Sequence, residues 1–366
     1  MGLKIFISAG EYSGDLHASN LVKALRSFVP DAEFFGMGGR LMAKAGVELL
    51  HSFEEESVVG FLEAALRFRK MHQLLIRLAR AARKADIAIF VDYPGFHLQL
   101  AAAVHRMGVK TAYYIVPQVW AWGGWRVRIL KRHIDKAIVI LPFEEPLLRS
   151  WGIDAEFVGH PIIDVVDADD DIIERPKGIE WTIGLLPGSR KDEIRRLLPR
   201  MLKIKELIQK ELGDRVHFFV SLLGECKWKH LLRGDPTVSV FNGRARAIIK
   251  ASDLVILASG TASLEAALLK TPMIVIYMLS DISWIMAKTL AKVRSVSLVN
   301  LLMRQSVVPE FVQHVHPDEI ASVALNLLHD NRLRNKMISK LAEIRSILGE
   351  RGASVRAAKG ILSLIR

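Results

Sequence analysis

The sequence predicts an α/β protein made of two Rossmann-like, doubly wound domains whose parallel sheets face a central cleft. Three observations lead there. Short β-branched runs alternate with longer amphipathic stretches along the chain, the pattern of parallel strands joined by helices. The pattern is interrupted by an acidic, proline-containing run and then starts again. The chain has 366 residues, whereas single cores stop growing near about 250 residues.

In the first half the strand candidates are Lys4–Ser8, Glu33–Phe35, Ile87–Asp92, Thr111–Val116, Ala137–Leu141 and Glu156–Val158, most of them separated by helical stretches. The run Asp164–Lys177, with Asp167, Asp169, Asp170, Asp171, Glu174 and Pro176, reads as a linker. Beyond it Thr182–Leu186, Val216–Leu222, Val238–Phe241, Leu254–Ser259 and Met273–Tyr277 read as strands, with helices near Asp192–Leu212 and Thr261–Lys270. The stretch Asn331–Arg366 is helical and basic, with nine Lys/Arg against two Glu. The expected domains are therefore 1–165, 166–345 and a terminal helix, 346–366, packing back on an N-terminal domain, its own or that of a partner in a homodimer.

Composition narrows the function. Hydrophobic residues make up 51% and charged residues 25%, which supports a large core and excludes a disordered chain. The single cysteine, Cys226, forms no internal disulfide, and no signal-peptide pattern precedes Leu3–Ile7, so the expected location is cytoplasmic. The longest stretch without Asp, Glu, Lys or Arg, Thr111–Trp125, has 15 residues including Pro117, short of the ~20 apolar residues a spanning helix needs.

A net charge of +12 leaves nucleic acid, an anionic membrane surface or phosphorylated substrates as acidic partners. The excess is local. Ser57–Lys84 holds seven basic residues (Arg67, Arg69, Lys70, Arg77, Arg80, Arg83, Lys84) against Glu63 alone. Phe61, Leu62, Ala65, Leu66, Phe68, Met71, Leu74, Leu75 and Leu78 recur there near helical spacing. This pattern fits an interfacial helix or a core-facing helix with a solvated basic face. Trp120, Trp122 and Trp125, followed by Arg126, Arg128, Lys131 and Arg132, favour the lipid headgroup region. No nucleic-acid motif is present, so nucleic acid is not the expected partner.

Ligands of open parallel sheets sit at the carboxyl ends of strands, so the loops there come first. Ala9-Gly10-Glu11-Tyr12-Ser13-Gly14-Asp15 offers polar groups and a helix cap, without a dinucleotide or P-loop spacing. Asp92-Tyr93-Pro94-Gly95-Phe96-His97 places a carboxylate where a general base can act or merely shape a turn. Leu186-Pro187-Gly188-Ser189-Arg190-Lys191 has the makings of a diphosphate site, with glycine, a helix N-terminus and an arginine. Ser259-Gly260-Thr261-Ala262-Ser263-Leu264-Glu265 repeats that logic, and Glu265 can accept from ribose hydroxyls or complete a capping box. His160, in Val158-Gly159-His160-Pro161, can polarise a ligand oxygen or serve as a structural hydrogen bonder. No metal-ligand cluster and no nucleophile elbow appear, so no metal or cofactor is expected.

Ten blocks in order from residue 9 to residue 313 closely resemble the lipid-A-disaccharide synthase family. They are Ala9-Gly10-Glu11-x-Ser13-Gly14-Asp15, Gly60-x-x-Glu63, Asp92-x-Pro94-x-Phe96, Val116-Pro117-x-Val119-Trp120-Ala121-Trp122, Leu141-Pro142-Phe143-Glu144, Val158-Gly159-His160-Pro161, Leu185-Leu186-Pro187-Gly188-Ser189-Arg190, Ser259-Gly260-Thr261-Ala262-x-Leu264-Glu265, Asn300-Leu301-Leu302 and Pro309-Glu310-x-x-Gln313. The resemblance implies a GT-B inverting glycosyltransferase that joins UDP-2,3-diacylglucosamine to 2,3-diacylglucosamine 1-phosphate (lipid X), giving the β(1→6) lipid A disaccharide 1-phosphate and UDP. It implies work at the cytoplasmic face of the inner membrane, as a peripheral protein. It implies that Asp92 is the general base, that Glu11 and Asp15 count with it as catalytic and line the acceptor side with Ser13, and that Glu63 and His160 bind substrate. Gly188, Ser189, Arg190, Gly260 and Thr261 would neutralise the diphosphate, while Glu265, Asn300, Glu310 and Gln313 would contact nucleotide and donor.

The chain departs from the family's Asp-x-Pro-Asp-Phe-Asn at Gly95 and His97, and has Ala18 where a glycine is common, which touches the acceptor contacts and the chain-length preference. Two rivals make other expectations. Another GT-B UDP-sugar enzyme, such as a UDP-N-acetylglucosamine 2-epimerase, needs no membrane-facing surface. A non-catalytic protein binding anionic membrane or RNA needs no UDP site.

Overall fold

The computed structural model describes residues 2–56, 64–120, 124–222, 232, 234–279 and 295–365. They form two units: Met1–Pro161 with Leu348–Arg366, and Ile162–Ile347. The first change of unit thus falls between Pro161 and Ile162, a few residues before the acidic run that suggested it.

The first unit holds a seven-stranded sheet in the order β3-β2-β1-β4-β5-β6-β7, every neighbouring pair parallel. The strands are β1 (Lys4–Ala9), β2 (Glu33–Gly38), β3 (Glu48–Ser52), β4 (Ile87–Val91), β5 (Lys110–Tyr114), β6 (Lys136–Val139) and β7 (Ala155–Phe157). Because side chains alternate along a strand, β1 and β4 send Ile5, Ile7, Ala9, Ile87, Ile89 and Val91 to one core and Phe6, Ala88 and Phe90 to the other. Helix α1 (Tyr12–Phe28) covers the first face. α3 (Ala64–Ala82) and α4 (Pro94–His105) cover the second, beside α5 (Trp125–His133). The short α2 (Arg40–Lys44) follows β2, and α6 (Glu144–Ser150) follows β6.

The last helix, Ala353–Leu362, belongs to this unit too. It packs on α1 and sets Ala357, Ala358, Ile361 and Leu362 into the core beneath it. Arg356 fastens the join, its guanidinium donating to the carbonyls of Val158, Glu350 and Arg351, while the His160 amide donates to Leu348 O at 2.9 Å.

The second unit starts with α7 (Ile162–Asp167) and builds a parallel six-stranded sheet, β10-β9-β8-β11-β12-β13. Its strands are β8 (Trp181–Leu186), β9 (Val216–Leu222), β10 (Val238–Asn242), β11 (Leu254–Ala258), β12 (Met273–Tyr277) and β13 (Glu310–Val312). Helices α8 (Lys191–Leu212), α9 (Ala245–Ala251) and α10 (Thr261–Leu268) follow β8, β10 and β11, and Leu298–Met303, Pro317–His329 and Asn331–Ala342 complete the unit.

The edge strands β3 and β13 escape the sequence reading because they are short and only partly buried, so their residues carry no continuous apolar run. The acidic run is also not a spacer. Asp167 pairs with Arg345, Asp169 with Arg246 and Lys250, and Asp171 with Arg244, which straps the segment onto its own unit. In α3 the structure decides between the two readings of the apolar stripe for residues 71–82. Leu74, Leu78, Ala79 and Ala82 are buried in the unit's core and Met71 and Leu75 pack against it. Phe61, Leu62 and Glu63 lie outside the described residues. Among the described residues no helix is long and apolar enough to cross a membrane.

Candidate active site

Each sheet has a point where strand order reverses: between β1 and β4 in the first unit, between β8 and β11 in the second. Two helices leave such a point on opposite faces, so the loops above it part and open a crevice at the carboxyl ends of the strands. All four loops singled out in the sequence lie there. The register pairs Ala9 with Val91 and Leu186 with Leu257, which brings the loops together in twos.

In the first unit Glu11 caps α1 with extended backbone, and its carboxylate accepts the Ser13 hydroxyl at 3.2 Å. Gly10 is required by close approach, since a Cβ there would stand 2.2 Å from the Tyr93 ring. Across from it Asp92 and Tyr93 both have positive φ, 50° and 52°, a backbone that costs about 1–2 kcal/mol per residue without glycine. Such conformations persist where surrounding bonds impose them. Here the Asp92 amide donates to Tyr114 O at 3.0 Å, and its carbonyl lies 2.7 Å from both the Tyr113 hydroxyl and His97 Nδ1.

Charge gathers at this turn. Burial and then the Asp92 carboxylate push the Tyr113 hydroxyl up, while Arg126, at the start of α5, pulls it down. The sequence reading placed Arg126 only in a surface cluster. Its Nε is buried with no hydrogen-bond partner among the described residues, so a cation stands near the Asp92 turn. Nothing in the sequence marks Tyr113 or Arg126 apart from their neighbours.

In the second unit Gly188 has φ +102°, and Arg190 is the N-cap residue of the 22-residue α8, its backbone amide donating to the Glu193 carboxylate at 3.4 Å. The Arg190 side chain is 71% exposed, 3.6 Å from Glu193. Ser189 is exposed beside it. Tyr277 at the end of β12 has its hydroxyl pushed up by burial and by Glu193, against Arg190. Gly260 caps α10 at φ +155° and ψ −160°, a region essentially open to glycine alone, and a Cβ there would meet nothing within 4 Å among the described residues. Thr261 opens the helix, so amide N–H groups and unoccupied space coincide where an anion can approach. Glu265 is buried one turn on, raised by that burial, and held by Arg246 Nη1 at 3.1 Å. Arg246 in turn bonds Asp169.

Several expected site residues have other duties. Asp15 is buried, and its carboxylate accepts the amides of Gly39, Leu41 and Met42 at 2.8–3.1 Å, capping α2. These three bonds tie the Asp15 carboxylate to the start of α2. His160 is enclosed beside His17 of α1; burial, with the His17 charge, pushes it down to about 3, so it stays neutral and inside.

Asn300 is saturated: its amide nitrogen donates to Val308 O and Glu310 and its oxygen accepts the amides of Val307 and Val308. Glu310 also receives the amides of Val296 and Ser297. Gln313 exchanges two bonds with the Leu279 backbone. These three side chains brace the backbone of the second unit. Glu63 lies outside the described residues, and among the described residues no group of three or more His, Cys, Asp or Glu is placed to hold a metal.

Comparison with known proteins follows the same outline. A family model described as lipid-A-disaccharide synthetase matches residues 5–364. A lipid-A-disaccharide synthase of Myxococcus xanthus is 41% identical over 373 residues, covering 99% of this chain and 97% of the relative. The fold is similar to a UDP-GlcNAc 2-epimerase from Methanocaldococcus jannaschii, TM-score 0.61 at 12% identity with both chains fully covered. It is also similar to the calicheamicin glycosyltransferase CalG4, TM-score 0.61 at 13% identity, covering 100% of this chain and 98% of that one.

Proposed function

The chain belongs to the lipid-A-disaccharide synthetase family, and from that premise we propose that its first unit carries the lipid acceptor and the base while its second carries the UDP-sugar. The protein is a GT-B glycosyltransferase of lipid A disaccharide formation, acting on UDP-2,3-diacylglucosamine and lipid X. The likeness to an epimerase is one of fold, at 12% identity, and does not favour epimerase chemistry.

The observation that carries the assignment of residues is the placement of all four loops at the two switch points. In the proposed step the acceptor 6-hydroxyl oxygen attacks the donor's anomeric carbon. Its proton passes to the Asp92 carboxylate, the bond from that carbon to the diphosphate oxygen breaks, and UDP leaves with the electron pair, inverting the centre. Arg190, Ser189 and the amides at the starts of α8 and α10 stabilise the charge that grows on the diphosphate, with Gly188 and Gly260 admitting it close to the backbone. Arg126, near Tyr113 and the Asp92 turn, offers a cation for the acceptor phosphate, and Glu11 and Ser13 line the acceptor side. Glu265, kept in place by Arg246, takes the ribose hydroxyls.

Supplied with both substrates, the protein is expected to release UDP and disaccharide phosphate in equal amounts. Arg190→Ala is expected to raise KM for the UDP-sugar about 10–100-fold, the weight of one charge-assisted phosphate contact. Unchanged KM would remove Arg190 from the donor site.

We further propose that the first unit meets anionic lipid. On α3 the residues Arg69, Lys70, Arg77 and Arg80 are exposed, as are Arg83 and Lys84 in the turn after it, and on α5 so are Arg128, Lys131, Arg132 and Trp125, the last at 62%. Both helices pack on α4 and so lie on one side of the sheet. What supports a lipid surface here is therefore charge with a tryptophan, not the α3 stripe of residues 71–82, which the core takes up. Binding to vesicles with anionic lipid is expected to weaken steeply between low and physiological salt, and to be lost on Arg128→Glu with Lys131→Glu. Salt-independent binding would argue against it.

A further inference from the structure

The Asp92–Tyr93 turn is one the chain does not choose unaided, and the groups that impose it converge on the carbonyl oxygen of Asp92. Tyr113 Oη donates to that oxygen at 2.7 Å, and His97 Nδ1 lies 2.7 Å from it. The other ring nitrogen, Nε2, is 2.8 Å from Ser8 Oγ at the end of β1, 89 residues away. His97 is completely buried, its ring walled by Phe90, Tyr93, Phe96 and Tyr113 at centroid distances of 5.6–6.5 Å.

The proton positions follow from this arrangement. A carbonyl oxygen only accepts, so Nδ1 carries the hydrogen and donates it. Burial pushes the ring down to about 4, so near neutral pH it has one N–H, and Nε2 presents a lone pair. The Ser8 hydroxyl must then be the donor to Nε2. With Nδ1–H and the Tyr113 O–H both on it, the Asp92 carbonyl has both lone pairs in use.

We propose that His97 is a positioning residue for glycosyl transfer: the directed chain from Ser8 through His97 fixes the peptide plane after Asp92 and thereby aims the Asp92 carboxylate. The proposal rests on the reading of Asp92 as base. His97 touches no substrate. Its polar contacts are the backbone at Asp92 and Val91 and the Ser8 hydroxyl, and variants that keep one ring nitrogen's bond at a time separate its hold on the Asp92 turn from the packing of a core histidine.

Two amides divide the ring's functions between them. The Asn side-chain nitrogen reaches the place of Nδ1, while the Gln side-chain end reaches that of Nε2. Both substitutions lose one hydrogen bond and some ring volume, so both are expected to lower the melting temperature by similar amounts. His97→Gln is expected to lower kcat about 10–100-fold, the scale of a misplaced catalytic group, with KM for the UDP-sugar within about twofold of the parent. His97→Asn is expected to keep kcat within about fivefold.

In an Asp92→Asn background, His97→Gln is expected to cost nothing further, because the group it aims is gone. Equal kcat for the Asn and Gln variants would overturn the proposal, as would a Gln effect that persists undiminished in the Asp92→Asn background. Parent-like turnover in Asp92→Asn alone would instead overturn the reading of Asp92 itself.

Discussion

Asp92→Asn is expected to lower turnover by on the order of 10²–10⁴-fold while leaving UDP affinity within about twofold. The amide matches the carboxylate in shape and cannot accept the proton from the attacking hydroxyl. The backbone bonds that hold the turn, from Tyr113 and His97 to the Asp92 carbonyl and from the Asp92 amide to Tyr114, are untouched by the substitution. The variant should thus fold as the parent does, and the loss should fall on kcat. Single-turnover rates with both substrates, set beside calorimetric UDP binding, separate the two. A parent-like rate would assign the base elsewhere, with Glu11 of the same loop pair the next carboxylate to test.

Acidification below pH 6.5 is expected to destabilise the first unit by several kcal/mol. Burial pushes His17 and His97 down to about 4 and His160 to about 3. All three take protons near pH 6.5 once unfolded, so below that value the unfolded chain binds more protons and stability falls as pH drops towards 4. At pH 5 each costs about 2 kcal/mol, or roughly 6 kcal/mol together, a large part of a domain's usual 5–15 kcal/mol.

Glu144 works in the opposite sense. Burial raises it to about 7 against the bonds from Trp120 Nε1 and the Leu141 amide, so its contribution is full below pH 4.5 and lost as pH rises through 7. On going from pH 6.5 to 5 the three histidines together cost about 5 kcal/mol and Glu144 returns about 2 kcal/mol, leaving a net loss of about 3 kcal/mol. Denaturant titrations at pH 8, 6.5 and 5 would read this directly. His17→Leu should recover part of the loss at pH 5, since His17 Nδ1 is buried without a hydrogen-bond partner among the described residues. Equal stability at all three pH values would contradict the burial account.

Much of the fold was legible because buried parallel strands announce themselves. Ile87–Val91 and Leu254–Ala258 are continuous apolar runs followed by polar, glycine-containing loops, and the loops of the site follow from them. β3 and β13 were not legible, since Glu48–Ser52 and Glu310–Val312 are short, partly buried and mix polar with apolar residues, whereas the edge strand β10 keeps the β-branched, largely apolar run Val238–Phe241. Within the site, residue type could not tell a ligand contact from an internal bond. Asp15 meets amide groups 24 to 27 positions away, and Asn300 is consumed by backbone groups at Val307 and Val308. His97 stood out only as a departure from a family pattern; its partner Ser8 becomes adjacent only once β1 and β4 pair.

The insertion of the helix Ala353–Leu362 into the core of the first unit has a consequence for biosynthesis. That unit begins at the N-terminus, yet it cannot close until the ribosome has also made Ile162–Ile347. At about 5–20 residues per second, the 205 residues between 161 and 366 impose a wait on the order of 10–40 s. Through that interval the side of α1 that the late helix covers stays open, so this core closes well after its own strands have been made.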